Sequence, residues 1–235
     1  MSNFLKSREL KTRVLTSLFL IIAIVPTYFY KDGFYFRLTL GIGYALAFIE
    51  FLTIFANTIF FPNLKDLLVS FVVFSELCIY LGFANRLEVP VIGAAVFICA
   101  LTDISAYFFG KILGKKLFKA RPFPNASPNK TYEGCLGGFV FGVLAAFAFS
   151  RFENLKFTEL IWMPIAAILG DVLESFFKRR FGVKDSNDYL LGNPVLGPIE
   201  SLLGGYHGHG GYLDRLDSVS FVLMVEFVII LFSSF

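Results

Sequence analysis

Seven long apolar stretches divide this chain, and they restrict its fold more than any other feature. They lie at about 14–30, 34–55, 66–84, 90–110, 134–150, 157–177 and 217–234. A helix needs about 20 apolar residues to cross the hydrocarbon core of a bilayer. Only helices and closed barrels satisfy backbone hydrogen bonds in lipid, and stretches of this length favour helices. We therefore predict an all-α, polytopic integral membrane bundle with about seven transmembrane helices.

The composition agrees with a membrane protein. Apolar side chains make up 56% of the 235 residues and charged ones only 17%, whereas soluble domains carry about 25% charged residues. Cys78, Cys99 and Cys135 lie in or beside apolar stretches and form no C-x-x-C pair, so we expect packing roles for them. We treat residues 1–235 as a single membrane-embedded domain and expect no nucleic-acid partner.

The distribution of Lys and Arg predicts the orientation of the chain. With the N-terminus in the cytoplasm, 16 of the 21 basic residues fall on the cytoplasmic side and 5 on the other. Cytoplasmic loops carry an excess of basic residues, so segment 1–13 is predicted to be cytoplasmic. The two most polar loops, 111–133 and 178–216, then lie on the same face. We predict a multi-pass protein of the cytoplasmic (inner) membrane whose active site faces the cytoplasm.

Three predicted helix faces carry acidic residues within or beside apolar stretches. The groups are Asp103, Tyr107 and Lys111; Asp171, Glu174, Ser175 and Lys178; and Asp214, Asp217 and Ser218. Counted from the first member, the others lie three, four, seven or eight positions further along, so each group shares one helical face. Ionisable groups in membrane spans are costly and indicate function by default. Single intramembrane acids are explained as structural, and we assign no function to Glu50, Glu76 and Glu226.

These residue types suit a particular chemistry. Carboxylates favour hard cations such as Mg²⁺, which takes one or two of them together with waters and substrate phosphates. Clustered Lys and Arg bind phosphate oxygens, and glycine-rich turns let backbone N–H groups approach an anion. The combination predicts phosphoryl or nucleotidyl transfer to a lipid, and it does not name the nucleotide.

Three blocks of the sequence resemble one known family. They are "DISAYFFGKILG" from Asp103 to Gly114, "SPNKTYEG" from Ser127 to Gly134, and a discontinuous block from Ser175 to Asp217. The third block comprises Ser-x-Phe-Lys-Arg, then Lys-Asp, then His-Gly-Gly-x-x-Asp-Arg-x-Asp. In this order they are similar to the signature of phosphatidate cytidylyltransferases, also called CDP-diacylglycerol synthases.

The resemblance implies transfer of CMP from CTP to phosphatidic acid, which gives CDP-diacylglycerol and pyrophosphate in phospholipid biosynthesis at the lipid bilayer. It implies Mg²⁺ held by Asp171, Asp214 and Asp217, a potassium-like ion (K⁺) that can share the cluster, and a homodimer. The predicted catalytic residues are Asp171, Asp214, Asp217, Lys178 and Arg215. The predicted substrate-binding residues are Asp103, Ser127, Lys130, Thr131, Glu133, Ser175, Arg179, Lys184, Asp185, His209, Gly210 and Gly211.

Individual loop residues allow narrower expectations. Thr131 directly precedes an apolar stretch and is expected to cap the helix there. A helix start does not explain Lys130, for which we favour a contact with nucleotide or phosphate. His209 fits either a metal ligand or a flexible phosphate-binding turn with the adjacent glycines, and we favour the turn. We assign no function to His207.

The chain departs from the family pattern between the Lys-Asp pair and the His-Gly-Gly block. In the family these elements are close together, whereas 23 residues separate Asp185 from His209 here. Residues 187–206 supply the surplus, as either an interfacial flap at the lipid entrance or a neutral insertion. The alternatives for function are a CTP-dependent lipid kinase, a cytidylyltransferase acting on another lipid, a small ion-coupled transporter and an inactive scaffold.

Overall fold

A computed structural model describes residues 25–57, 63–114, 116–118, 120–191 and 210–233. These residues form helices joined by turns, and the described part of the chain contains no β-strand. The six long helices are α1 (Phe34–Asn57), α2 (Leu64–Phe83), α3 (Val89–Ile112), α4 (Tyr132–Phe152), α5 (Met163–Arg180) and α6 (Leu213–Ser233). The prediction of an all-α protein is confirmed.

All six helices are long and apolar enough to cross a membrane, when α5 is taken with the short helix Phe157–Leu160 that precedes it. They correspond to the second to seventh predicted spans, so the prediction of a helical membrane bundle is confirmed. The first predicted span, 14–30, lies mostly outside the described residues. A total of seven spans and a cytoplasmic N-terminus therefore stay predictions.

Two helix starts that differ from the predicted spans, those of α4 and α6, lie at the site. Helix α4 begins at Tyr132, because the Thr131 hydroxyl caps it by accepting a hydrogen bond from the backbone N–H of Gly134 at 3.1 Å. The predicted capping role of Thr131 is thereby confirmed. Helix α6 begins at Leu213 rather than near residue 217, so Asp214 lies in its first turn.

Small residues bring neighbouring helices into close contact around the site. Gly138 of α4 packs against Ala106 of α3, where an added Cβ would come within 2.9 Å of the Ala106 Cβ. At the crossing of α5 and α6, a Cβ on Gly170 would lie 2.9 Å from the Asp217 carbonyl oxygen and 2.7 Å from the Phe221 Cβ. Only glycine permits this approach, which places Asp171 beside the start of α6.

The outer faces of the helices are apolar. Large exposed side chains include Phe71, Phe108, Leu136, Phe147 and Phe232. Inside the bundle, Tyr44 of α1 stacks on Tyr80 of α2 with ring centroids 4.0 Å apart. A bundle with apolar side chains on both its outer faces and its interior is expected in lipid, where the solvent is itself apolar.

Candidate functional site

A cleft of about 350 Å³ lies between α3, the loop that precedes α4, the start of α4, and α5. Its charged lining residues are Asp103, Lys111, Lys130 and Asp171. Asp103 and Lys111 belong to the first family-like block and Lys130 to the second, whereas Asp171 lies on the helix that carries the third. The fold therefore brings residues from separate parts of the sequence to one cavity.

Lys130 crosses the cleft to form an ion pair with α5. Its ammonium nitrogen lies 2.5 Å from the Asp171 Oδ2 atom. The Ser175 hydroxyl, one turn further along α5, donates to the Asp171 Oδ1 atom at 3.4 Å. Lys130 thus has a partner that its sequence context did not indicate, and a contact with phosphate stays a prediction.

A group of acids lies where α3, α5 and α6 meet. The Ser218 hydroxyl of α6 donates to the Asp103 Oδ2 atom at 3.4 Å, and the Ser218 backbone N–H donates to the Asp217 Oδ1 atom at 2.6 Å. The carboxylates of Asp103, Asp171 and Glu174 all lie within electrostatic range of Asp217. Two of the three predicted metal ligands, Asp171 and Asp217, therefore influence each other electrostatically.

Asp214, the third predicted metal ligand, forms a separate cluster with Lys178. The Lys178 ammonium group also lies 2.8 Å from the Glu174 Oε2 atom. The second oxygen of Asp214, Oδ2, accepts hydrogen bonds from the Ser186 backbone N–H at 2.8 Å, the Ser186 hydroxyl at 2.9 Å and the Gly211 backbone N–H at 2.8 Å. Both oxygens of Asp214 are thus bonded within the protein.

The donor set fits a hard cation on chemical grounds. In the part of the chain that the structure describes, no group of three or more His, Cys, Asp or Glu side chains is close enough to hold a metal ion. Mg²⁺, however, commonly takes only one or two carboxylates, with the remaining positions filled by water and substrate phosphates. Asp171 and Asp217, which lie within electrostatic range of each other, supply carboxylates of this kind.

Glu50 of α1 holds the beginning of α6, a role that the sequence did not indicate. Its carboxylate is fully buried. The Oε1 atom accepts from the Tyr212 N–H at 2.7 Å, and the Oε2 atom accepts from the Leu213 N–H at 2.9 Å and from the Ser186 hydroxyl at 2.6 Å. The only sequence signal was an acid within an apolar stretch, which Glu76 and Glu226 share.

The two glycines of the His-Gly-Gly block contact carboxylates of the protein itself. Gly210 has a φ of 72°, in the left-handed region that favours glycine. A Cβ on Gly211 would lie 2.3 Å from both oxygens of Glu50. In this structure the Gly211 N–H binds Asp214, and the predicted phosphate-binding turn is not tested because His209 lies outside the described residues.

Four other predicted site residues lie at the end of α5, in the turns that follow it, and in the first turn of α6. Arg179 is exposed and donates to the Val183 carbonyl oxygen at 3.1 Å, and Arg215 lies 6.0 Å from the centroid of the Tyr212 ring. Lys184 is exposed. Partial burial raises the pKa of Asp185, and the neighbouring carboxylates of Asp214 and Asp188 raise it further.

Two residues of the SPNKTYEG block shape loops. Both the Leu117 and Phe118 backbone N–H groups donate to the Glu133 Oε1 atom at 2.9 Å. Glu133 therefore fixes the turn that follows α3. Ser127 donates its backbone N–H to the Phe123 carbonyl oxygen at 3.0 Å, and this closes a turn before Lys130. Substrate contacts by Ser127 and Glu133 stay predictions.

The apolar helices and the charged cleft define a helical membrane protein with a polar site inside its bundle. A model of the "Cytidylyltransferase family" matches residues 67–193, which is more than half of the chain. The chain belongs to the cytidylyltransferase family. The match covers Asp103, Lys130, Asp171 and Asp185 and ends before the His-Gly-Gly block.

Curated relatives agree with this assignment. The chain is 39% identical over 135 residues to the phosphatidate cytidylyltransferase of Staphylococcus aureus (strain COL), an alignment that covers 55% of this chain and 44% of that protein. It is 38% identical over 129 residues to the phosphatidate cytidylyltransferase of Staphylococcus saprophyticus, with 52% and 42% covered. The chain thus matches a little under half the length of these relatives.

Proposed function

We propose that the protein transfers CMP from CTP to phosphatidic acid and forms CDP-diacylglycerol and pyrophosphate. The observation that carries the proposal is that Asp103, Lys130 and Asp171 line one cleft. These residues come from distant segments of the sequence, and the chain belongs to the cytidylyltransferase family. The relatives named phosphatidate cytidylyltransferase support this choice of lipid.

In this proposal Asp171 and Asp217 hold Mg²⁺, with Asp103 close to them. Asp214, the third predicted ligand, keeps its bonds to Lys178 and the Ser186 turn in this proposal and holds the start of α6, the helix that carries Asp217. Bound Mg²⁺ would neutralise negative charge on the phosphates of CTP. A K⁺ ion at the same acids is part of the proposal as well.

The basic residues of the chain bind and orient the phosphates. Lys130 and Lys111 line the cleft, and in this proposal their ammonium groups contact the triphosphate or the lipid phosphate. Arg179 follows Lys178 and Arg215 follows Asp214 in the sequence, and in this proposal both stabilise the charge of the departing pyrophosphate. Lys178, which is bound to Glu174 and Asp214, keeps these acids in place.

The chemistry needs no strong general base. A phosphatidic acid oxygen, already anionic at neutral pH, bonds to the α-phosphorus of CTP while the bond from that phosphorus to the oxygen bridging it to the β-phosphate breaks. The electron pair of the broken bond leaves with pyrophosphate. Positioning and electrostatic stabilisation by the cleft then supply most of the rate.

The bilayer is the proposed source of the lipid substrate, and the exposed apolar faces of the helices fit a lipid environment. We further propose that the site faces the cytoplasm, where CTP is available, and that the protein forms a homodimer. An involvement of residues 187–206 at the lipid entrance is also a proposal, because most of that segment lies outside the described residues.

The test uses the purified full chain with phosphatidic acid, Mg²⁺ and CTP labelled at either the α- or the γ-phosphate. The proposal predicts that the α-label enters the lipid and the γ-label leaves as pyrophosphate. Asp217→Asn should abolish this transfer, whereas Glu226→Gln should not. A lipid that acquires the γ-label would identify a kinase, and a lipid with neither label would also contradict the proposal.

A further inference from the structure

Glu50 lies outside the three family-like blocks and outside the segment that the family model matches, yet it contacts the part of the site that carries Asp214. Its carboxylate joins three elements: helix α1, the turn at Ser186 and the start of α6. From the described residues alone, at least three hydrogen bonds of 2.6–2.9 Å converge on its two oxygens.

The chemistry of a helix start explains why an acid suits this position. The first N–H groups of a helix have no partner within the helix, and the helix dipole favours negative charge there. The N–H groups of Tyr212 and Leu213 both donate to Glu50. Hydrogen bonds to an ionised acceptor are stronger than neutral ones, and they offset the cost of burying the carboxylate.

Ser186 connects Glu50 to Asp214. The Ser186 hydroxyl oxygen lies 2.6 Å from a Glu50 oxygen and 2.9 Å from an Asp214 oxygen, so its single proton is shared between two carboxylates. The Ser186 backbone N–H donates to the same Asp214 oxygen at 2.8 Å. The position of Asp214 therefore depends on the turn that Glu50 holds.

Gly211 gives independent support. A Cβ at this position would lie 2.3 Å from both Glu50 oxygens and 2.4 Å from its carboxyl carbon. The Gly211 backbone thus lies directly against the buried Glu50 carboxylate, so a side chain at position 211 would displace Glu50. The close approach of Glu50 accounts for the absence of a side chain at Gly211.

We infer that Glu50 is a positioning residue of the site: it fixes the Ser186 turn and the start of α6, the helix that carries Asp214 and Asp217, so that Asp214 meets Lys178. The part of the inference that concerns the effect of Glu50 on turnover rests on the proposed function. The part that concerns the effect of Glu50 on the backbone rests on the hydrogen bonds alone. The two readouts below separate these parts.

The first readout is hydrogen–deuterium exchange of the detergent-solubilised full chain. Glu50→Gln should speed exchange in peptides that contain residues 184–188 and 210–216. The Gln side chain has one acceptor oxygen in place of two, and its NH₂ group would face the hydrogen-bond donors that Glu50 now accepts. The matched control is Glu76→Gln, a buried glutamate of α2 whose Oε1 atom has no hydrogen-bond partner among the described residues. Glu76→Gln should leave exchange in both peptides unchanged.

The second readout is CMP transfer. Glu50→Gln should lower kcat by about 10–100-fold, as is typical when a residue that orients a site is changed, and Glu76→Gln should stay near the wild-type rate. Equal exchange and equal kcat in the two variants would overturn the inference. If the wild type makes no CDP-lipid, the proposed function fails, and the exchange comparison still decides the role of Glu50.

Gly211→Ala tests the same contact without a change to Glu50. It should raise exchange in the 210–216 peptide and lower kcat. Its effect should be smaller in a Glu50→Ala background, because residues in contact show non-additive effects. This variant also serves if Glu50→Gln cannot be purified as a folded protein. Fully additive effects, or wild-type exchange in Gly211→Ala, would contradict the inference.

Discussion

Lys178 offers a quantitative test of how the buried charges are balanced. Its side chain is 11% exposed, and those of its partners Glu174 and Asp214 are 2% and 13% exposed. Lys178→Met would leave two buried carboxylates without their shared ammonium group. Removal of one partner of a buried ion pair costs about 3–5 kcal/mol of folding free energy. At about 2–4 °C per kcal/mol for a chain of this size, the unfolding midpoint should fall by roughly 6–20 °C.

The matched control is Lys156→Met. Lys156 forms an ion pair of 3.2 Å with Glu159, and the two side chains are 80% and 54% exposed. Exposed pairs contribute about 0–1 kcal/mol, so this variant should melt close to the wild type. Lys178→Met and Lys156→Met each remove one ammonium group. The acidic partners of Lys178 are largely buried, whereas the partner of Lys156 is exposed.

The assay is thermal unfolding of the full chain in one detergent, followed by circular dichroism. Adding Glu174→Gln to Lys178→Met should recover part of the lost stability, because it removes one of the two unpaired charges. Similar midpoints for Lys178→Met and Lys156→Met would refute the reasoning, since they would show that the buried carboxylates do not require Lys178.

Two further predictions concern the loops beside the site. Glu133→Gln should weaken the turn after α3, because Glu133 accepts hydrogen bonds from two backbone N–H groups there. Hydrogen exchange at residues 116–118 should become faster in the variant. Unchanged exchange would count against this role of Glu133. Asp185→Asn should be more stable than the wild type at pH 8. Folding raises the pKa of Asp185 above its ordinary value of 3.8. At pH values above the raised pKa the ionised carboxylate therefore destabilises the folded state. Because Asn carries no charge, the advantage of the variant should shrink as the pH falls towards 4. Thermal midpoints measured at both pH values test this, and equal midpoints at pH 8 would contradict it.

Helical periodicity was sufficient to predict the relations within α5. The spacing of Asp171, Ser175 and Lys178 placed them on one face, and the structure shows the Ser175–Asp171 hydrogen bond and the Lys178–Glu174 ion pair. Both contacts join residues four positions apart, so they depend only on the helix itself.

Contacts between distant segments could not be predicted in this way. The ion pair between Lys130 and Asp171 depends on the path of the loop before α4, which periodicity does not determine. The start of α6 was placed near residue 217 because the polar residues before it interrupt the apolar stretch. In the structure Glu50 accepts the N–H groups of Tyr212 and Leu213, and the helix begins at Leu213.

Glu50 itself shows the limit of reasoning from one sequence. As an isolated acid in an apolar stretch, it has the same local pattern as Glu76. The structure distinguishes the two by their partners: Glu50 accepts three hydrogen bonds from the loop and helix that carry Asp214, whereas no neighbouring residue in the sequence indicates this contact.

The most direct test of the site is the binding of Mn²⁺, as a spectroscopic substitute for Mg²⁺, to the purified full chain in the presence of CTP. Electron paramagnetic resonance would report the bound fraction in the wild type, Asp171→Asn and Glu226→Gln. If the acids at the junction of α3, α5 and α6 hold the cation, Asp171→Asn should bind at least about tenfold more weakly than the wild type, and Glu226→Gln should bind normally. Equal binding by all three proteins would contradict the account.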